Sequence, residues 1–188
     1  MFLRRAARLF RVSKLRILPV ILAVSGMVAC VEPMEFPPEP YLEFRQNILS
    51  WQIGLTGDTT ELLEVEFYFQ DGDGDIGRET EDEVFPYVGD SLYNLHFHLL
   101  EVMPDSTFRQ VYYTDSMGTD YPVEYNYHLH YIEPVNANNA MSGTITWVVD
   151  DFPSTAFFMQ GRRVCYSIYL YDRALHRSNT IYTDPIQL

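Results

Sequence analysis

The chain has 188 residues, 26 of them acidic and 13 basic, for a formal net charge of −13 at neutral pH. The two signs are segregated: six basic residues, from Arg4 to Arg16, precede Ala29 and all acidic residues follow it, which leaves seven arginines against 26 carboxylates, a net charge of −19. A body that acidic repels nucleic acid and anionic headgroups, which excludes both as partners for its surface and suits it to holding cations.

Arg4, Arg5, Arg8, Arg11, Lys14 and Arg16 form a basic start, and the apolar run "ILPVILAVSGMVA" from Ile17 to Ala29 follows. Thirteen apolar residues are too few to cross a bilayer, and the run closes on small residues, so residues 1–29 read as a secretory leader. Behind it, "VEPMEFPPEPY" is rich in proline and glutamate, which marks residues 30–40 as a semi-rigid tether. Residues 41–188 are long enough for one domain with a core of its own.

That domain alternates with period two and carries almost no helical periodicity. "YLEFRQNILSWQI" opens it. In "LEVEFYFQ", Leu63, Val65, Phe67 and Phe69 alternate with Glu64, Glu66, Tyr68 and Gln70. "YNLHFHLLEV" sets Leu95, Phe97 and Leu99 on one face; "VEYNYHLHYI" does the same with Val123, Tyr125, Tyr127, Leu129 and Tyr131. "TFRQVYY", "GTITWVVD", "RVCYSIYLYD" and "NTIYT" complete a set of about eight strands, separated by Gly, Asp, Asn and Pro clusters. "DDFPSTAFFMQGRR" breaks the alternation and predicts a short helical turn. The spacing implies an all-β antiparallel sandwich with one wet and one dry face per sheet.

The chemistry is concentrated in "DGDGDIGRETEDE", directly after the second strand. Asp71, Asp73 and Asp75 alternate with glycines, so a curling backbone brings carboxylates two residues apart towards one hard cation, for which calcium is the expectation. Counted as in an EF-hand they occupy positions 1, 3 and 5, with Glu79 and Asp82 at 9 and 12 as further ligands. Ile76 stands where that motif needs glycine, Arg78 stands at an apolar position, and no amphipathic helix flanks the loop. A β-loop site is therefore expected, with Ile76 plugging the core and Gly77 releasing the next turn. Asp-Gly pairs are also ordinary turn chemistry, but a turn does not require three of them with more carboxylates behind.

Two His-x-His pairs, His96/His98 and His128/His130, place imidazoles on one side of a strand, the geometry of a zinc site if the strands are neighbours. "TFRQVYY" lies between them in sequence and separates them in a simple meander. No nucleophile elbow, HExxH or P-loop accompanies them, so a metal-dependent hydrolase is the alternative and a non-enzymatic module the main reading. Cys165 sits inside a strong strand and reads as a packed thiol. The tyrosines, dense from Tyr112 to Tyr131, read mainly as core and cross-strand pairs, some reaching the surface where they can hold a sugar or a partner.

Two motifs carry a resemblance. "MVAC", from Met27 to Cys30, resembles the lipobox of bacterial lipoproteins, with Met27 in place of the usual leucine; the resemblance implies that Cys30 is lipidated and becomes the N-terminus. "YSIYLYDRALHRSNTIYT" resembles the last hairpin of bacterial immunoglobulin-like domains, matching at Tyr171, Asp172, Arg173 and Ala174, with Leu175 and His176 replacing the usual Gly-Asn turn. Together with the tether and the acidic loop, these resemble small lipoproteins of Bacteroidota. That resemblance implies an immunoglobulin-like sandwich of about eight strands over residues 41–188, anchored in the outer membrane through a diacylated Cys30. Glu32 and Glu35 resemble the acidic export signal of surface lipoproteins, which favours the cell surface over the periplasmic face. An envelope protein or a glycan is the expected partner.

Overall fold

The computed structural model describes residues 35–53, 59–79, 86–88, 92–135, 138–149 and 159–188. The leader, Cys30, Asp82 and the greater part of the expected helical turn lie outside them. The described residues all belong to one unit, Met34–Leu188.

Among the described residues eleven strands form, all in antiparallel sheets: β1 (Tyr41–Ile53), β2 (Thr59–Asp71), β3 (Leu95–Val102), β4 (Phe108–Gln110), β5 (Tyr112–Thr114), β6 (Asp120–Pro122), β7 (Glu124–Tyr127), β8 (Met141–Val149), β9 (Arg163–Leu170), β10 (Ile181–Tyr182) and β11 (Ile186–Gln187). One sheet has the order β1-β2-β8, and the other runs β10-β9-β3-β4, with β11 also on β9 and β7 also on β3. β5 and β6 make a separate hairpin. The count exceeds eight because one expected strand is split in two and two short strands, β6 and β11, lie outside the expected segments. "TFRQVYY" divides at Val111, which leaves the ladder to donate to the Leu99 carbonyl at 3.0 Å while accepting from Val123 N at 2.8 Å. Pro185, which has no N–H to give a ladder, separates β11 from β10.

The alternation read from sequence is the alternation of burial. On β2, Leu63, Val65 and Phe67 are buried while the residues between them are half-exposed. Leu95, Phe97 and Leu99 of β3 and Val164, Tyr166, Ile168 and Leu170 of β9 join the same cluster, as do Ile145 and Val149 of β8. Both sheets therefore feed one core, and each fully buried apolar side chain contributes about 1.5–3 kcal/mol. β9 lies between β3 and the β10/β11 edge, and its off-face residue Cys165 is buried as well, with burial pushing the thiol up to about 11. Ile76 is fully buried in this core, and Gly77 turns the chain at φ +81°.

The segment before β1 is held against the domain. Pro40 is buried, and the Phe36 and Pro37 carbonyls press on Gly72, where an added Cβ would lie 2.3 Å from the Phe36 oxygen. Further along, the Asn179 side chain accepts from Leu42 N at 2.7 Å and donates to Leu42 O at 2.9 Å, tying β1 to the C-terminal hairpin.

Candidate metal centre

β2 ends in an aspartate at the next inward position of its alternation, and β9 is followed, two residues past its end, by another. After Leu63, Val65, Phe67 and Phe69 comes Asp71; after Val164, Tyr166, Ile168 and Leu170 comes Asp172. Strand parity thus aims two carboxylates at the end of the core, where Asp71 is 0% and Asp172 1% exposed. One oxygen each of Asp71, Asp73, Asp75 and Asp172 lies within 4.8 Å of the others, which makes this the one such group among the described residues.

The two segments are bonded to each other. Arg173 N donates to the Asp75 carbonyl at 3.1 Å, and Ala174 N donates to Asp75 Oδ2 at 3.0 Å. Within the loop, Asp75 N donates to Asp71 Oδ2 at 2.9 Å. Across the hairpin, Asp172 Oδ1 accepts from His176 N at 2.7 Å, and its Oδ2 pairs with His176 Nδ1 at 2.9 Å. These bonds leave Asp71 Oδ1 and Asp75 Oδ1 buried with no hydrogen-bond partner.

Four carboxylates this close repel at roughly 3.5 kcal/mol per ionised pair at an effective dielectric near 20. Burial pushes the Asp71 carboxyl up to about 6, with the neighbouring Asp73 and Asp172 charges adding to it. Burial and the charges of Asp172, Asp73 and Asp71 push Asp75 up to about 7. Asp172 is also raised by burial, and His176 is raised by its bond to Asp172. The donor set is entirely carboxylate oxygen, which suits a hard cation such as calcium or magnesium rather than zinc. The two orphaned oxygens carry a desolvation cost that a bound cation would offset.

Of the ligands expected from sequence, Asp71, Asp73 and Asp75 come together; Glu79 is exposed and outside the group, and Asp82 lies outside the described residues. Asp172 was not among them. Its signal was present, since it continues the apolar alternation of β9 just as Asp71 continues that of β2.

The strand leading into His128 and His130 is a neighbour of the His96/His98 strand, but it ends at Tyr127, before either histidine. β7 pairs directly with β3, setting His96 opposite Asn126 and His98 opposite Glu124, so residues 107–113 do not separate them. The four imidazoles nevertheless do not gather into a ligand group. His96 is buried with Nδ1 at 2.8 Å from Asn126 Oδ1 and Nε2 at 3.2 Å from the Tyr93 carbonyl. His98 faces Glu124 Oε1 at 3.0 Å and the Tyr169 hydroxyl at 3.2 Å, while His128 and His130 meet each other edge to face.

Fold and site together define an all-β protein of antiparallel sheets in which the loop at the end of β2 and the turn beyond β9 meet in a shared acidic centre that could hold a metal ion. No family model, curated protein or solved structure matches the chain.

Proposed function

We propose that the protein is a lipid-anchored module of the bacterial cell envelope, non-enzymatic, with an immunoglobulin-like sandwich stiffened by one calcium ion at Asp71, Asp73, Asp75 and Asp172. One observation carries the calcium reading: Asp71, fully buried, keeps an oxygen with no hydrogen-bond partner inside a group of four carboxylates. A buried ionised carboxylate costs several kcal/mol unless it is paired, and a divalent cation pairs all four at once. The leader, the "MVAC" motif and the tether support the anchored address, with the outer membrane and its outer surface as the location.

Thermal unfolding of the full chain in detergent tests the reading. Calcium should raise the melting temperature at millimolar concentration, the range of extracellular calcium modules, and add about 2.7 kcal/mol at a hundredfold excess over Kd. Magnesium should act weakly, because it demands a smaller octahedral shell. A melting curve indifferent to calcium and to chelator overturns it.

A further inference from the structure

Beside the acidic centre lies a cavity of about 400 Å³, inside the range of about 300–1,000 Å³ typical of small-ligand sites. Its wall is aromatic. His96 and Tyr169 stack with ring centroids 4.8 Å apart at 11°, and Tyr171 stands edge-on to both, at 5.7 and 5.8 Å. Tyr93, 39% exposed, closes another side. Arg78 and Asp172 supply one charge of each sign.

The chemistry of this wall selects among ligands. The polar atoms of His96 and Asn94 are consumed by Asn126, Tyr93 and the Leu129 backbone. The Tyr169 ring is covered by His96 and by the Arg177 guanidinium 3.9 Å above it, so what the wall offers a ligand is mainly the rings of Tyr93 and Tyr171. The surrounding acidic chain disfavours an anion, and Arg78 in the wall disfavours an organic cation. A neutral ring remains, with apolar C–H faces to lie on aromatic rings and hydroxyls to meet the phenols of Tyr93 and Tyr171, which combine an apolar body with a polar tip. We infer that this cavity binds a neutral saccharide, and that the cation at the acidic centre controls its affinity through Asp172 and the hairpin that follows Tyr171.

The coupling is built into the chain. Asp172 belongs both to the four-carboxylate group and to the cavity wall, and Arg78 extends the same loop that carries Asp71, Asp73 and Asp75. The bonds from Arg173 N and Ala174 N to Asp75 hold the hairpin to the loop. A cation that neutralises the repulsion between the two segments fixes both sides of the cavity. This inference rests on the calcium reading for its coupling, but not for the cavity.

Saturation-transfer NMR on the full chain in detergent tests it, with methyl glycosides of glucose, galactose, mannose and N-acetylglucosamine as probes, their β- and α-linked glucose disaccharides, and p-cresol as a mimic of an aromatic peptide side chain. At least one saccharide should receive saturation at its ring C–H protons in calcium, lose it in Tyr93→Ala and in Tyr171→Ala, and bind about fivefold or more weakly in chelator. Tyr93 is surface-exposed, so Tyr93→Ala should keep the wild-type melting curve and its calcium shift, which separates loss of the cavity from loss of the fold. Absence of tyrosine-dependent transfer to every saccharide overturns the inference, as does transfer to p-cresol alone. Saccharide binding that ignores chelator overturns the coupling; if the melting curve also ignores calcium, the failure lies in the calcium reading.

Discussion

At the scale of single residues, Asp71 is a carboxylate in a place that strand parity reserves for a core side chain. Replacing it by asparagine removes a charge that repels three neighbours while keeping the side chain's shape. Asp71→Asn should therefore raise the melting temperature of the metal-free protein and abolish its rise with calcium; a fall in the metal-free melting temperature would show that the carboxylate is paired by something other than a cation. The same group makes stability depend on pH. The folded-state values of Asp71 and Asp75 are raised to about 6 and about 7, above those of an unfolded chain, so the metal-free native state holds more protons than the unfolded state between about pH 4 and about pH 7. Asp172 is shifted in the same sense. His176, also raised, contributes stability below its unfolded value that is lost as pH climbs through its folded one. The carboxyls make the metal-free protein less stable as pH rises across that window, and His176 continues the same trend above about pH 6.5. In saturating calcium the carboxylates stay ionised and protons compete with the metal, so stability should instead rise with pH; melting curves at about pH 5 and about pH 8, with calcium and with chelator, read both slopes.

At the scale of elements, the acidic loop is fixed at its far end by a short parallel contact with residues 129–132. Arg78 N donates to Leu129 O at 3.0 Å, Tyr131 N to Arg78 O at 3.2 Å, and Ile132 N to Ile76 O at 3.1 Å. Gly77 permits that approach: it has φ +81°, and an added Cβ would lie 2.1 Å from the His130 carbonyl oxygen. Gly77→Ala should cost more than about 1 kcal/mol in chemical denaturation and weaken calcium binding as well, because the loop end is displaced. Of this element-level picture, the strand faces were legible: Leu63, Val65 and Phe67 or Val164, Tyr166 and Ile168 need only a two-residue period to declare their side. So were the loop, the plug at Ile76 and the turn at Gly77. Pairing was not legible, because which strand lies beside which depends on contacts between residues far apart in the chain. β7 came to lie on β3 although residues 107–113 intervene, because β4 covers only the last three positions of β3 and leaves Leu95–His98 to β7. Asp172 was missed for the same reason: its parity was readable, but its meeting with a loop about a hundred residues earlier was not.

At the scale of the whole molecule, the charge and the proposed anchor bear on each other. An acidic domain is repelled by anionic membrane surfaces, so on the proposed reading attachment would fall to Cys30 alone. Cys30→Ser should abolish lipid labelling and move the protein to soluble fractions; a variant that stays in the membrane pellet would remove the anchor reading. Residues 35–40 do not reach β1 freely. They pass over Gly72, the Phe36 and Pro37 carbonyls against the loop that carries Asp71 and Asp73, before Pro40 enters the domain. If the proposed anchor holds, tension from the membrane would meet that loop before it meets the sheet. On that reading, a calcium-clamped loop would keep the leash short and load a stiff corner, whereas a released loop would let the pull peel Phe36 and Pro37 away and lengthen the line, so that calcium would set how far the domain ranges from its mooring.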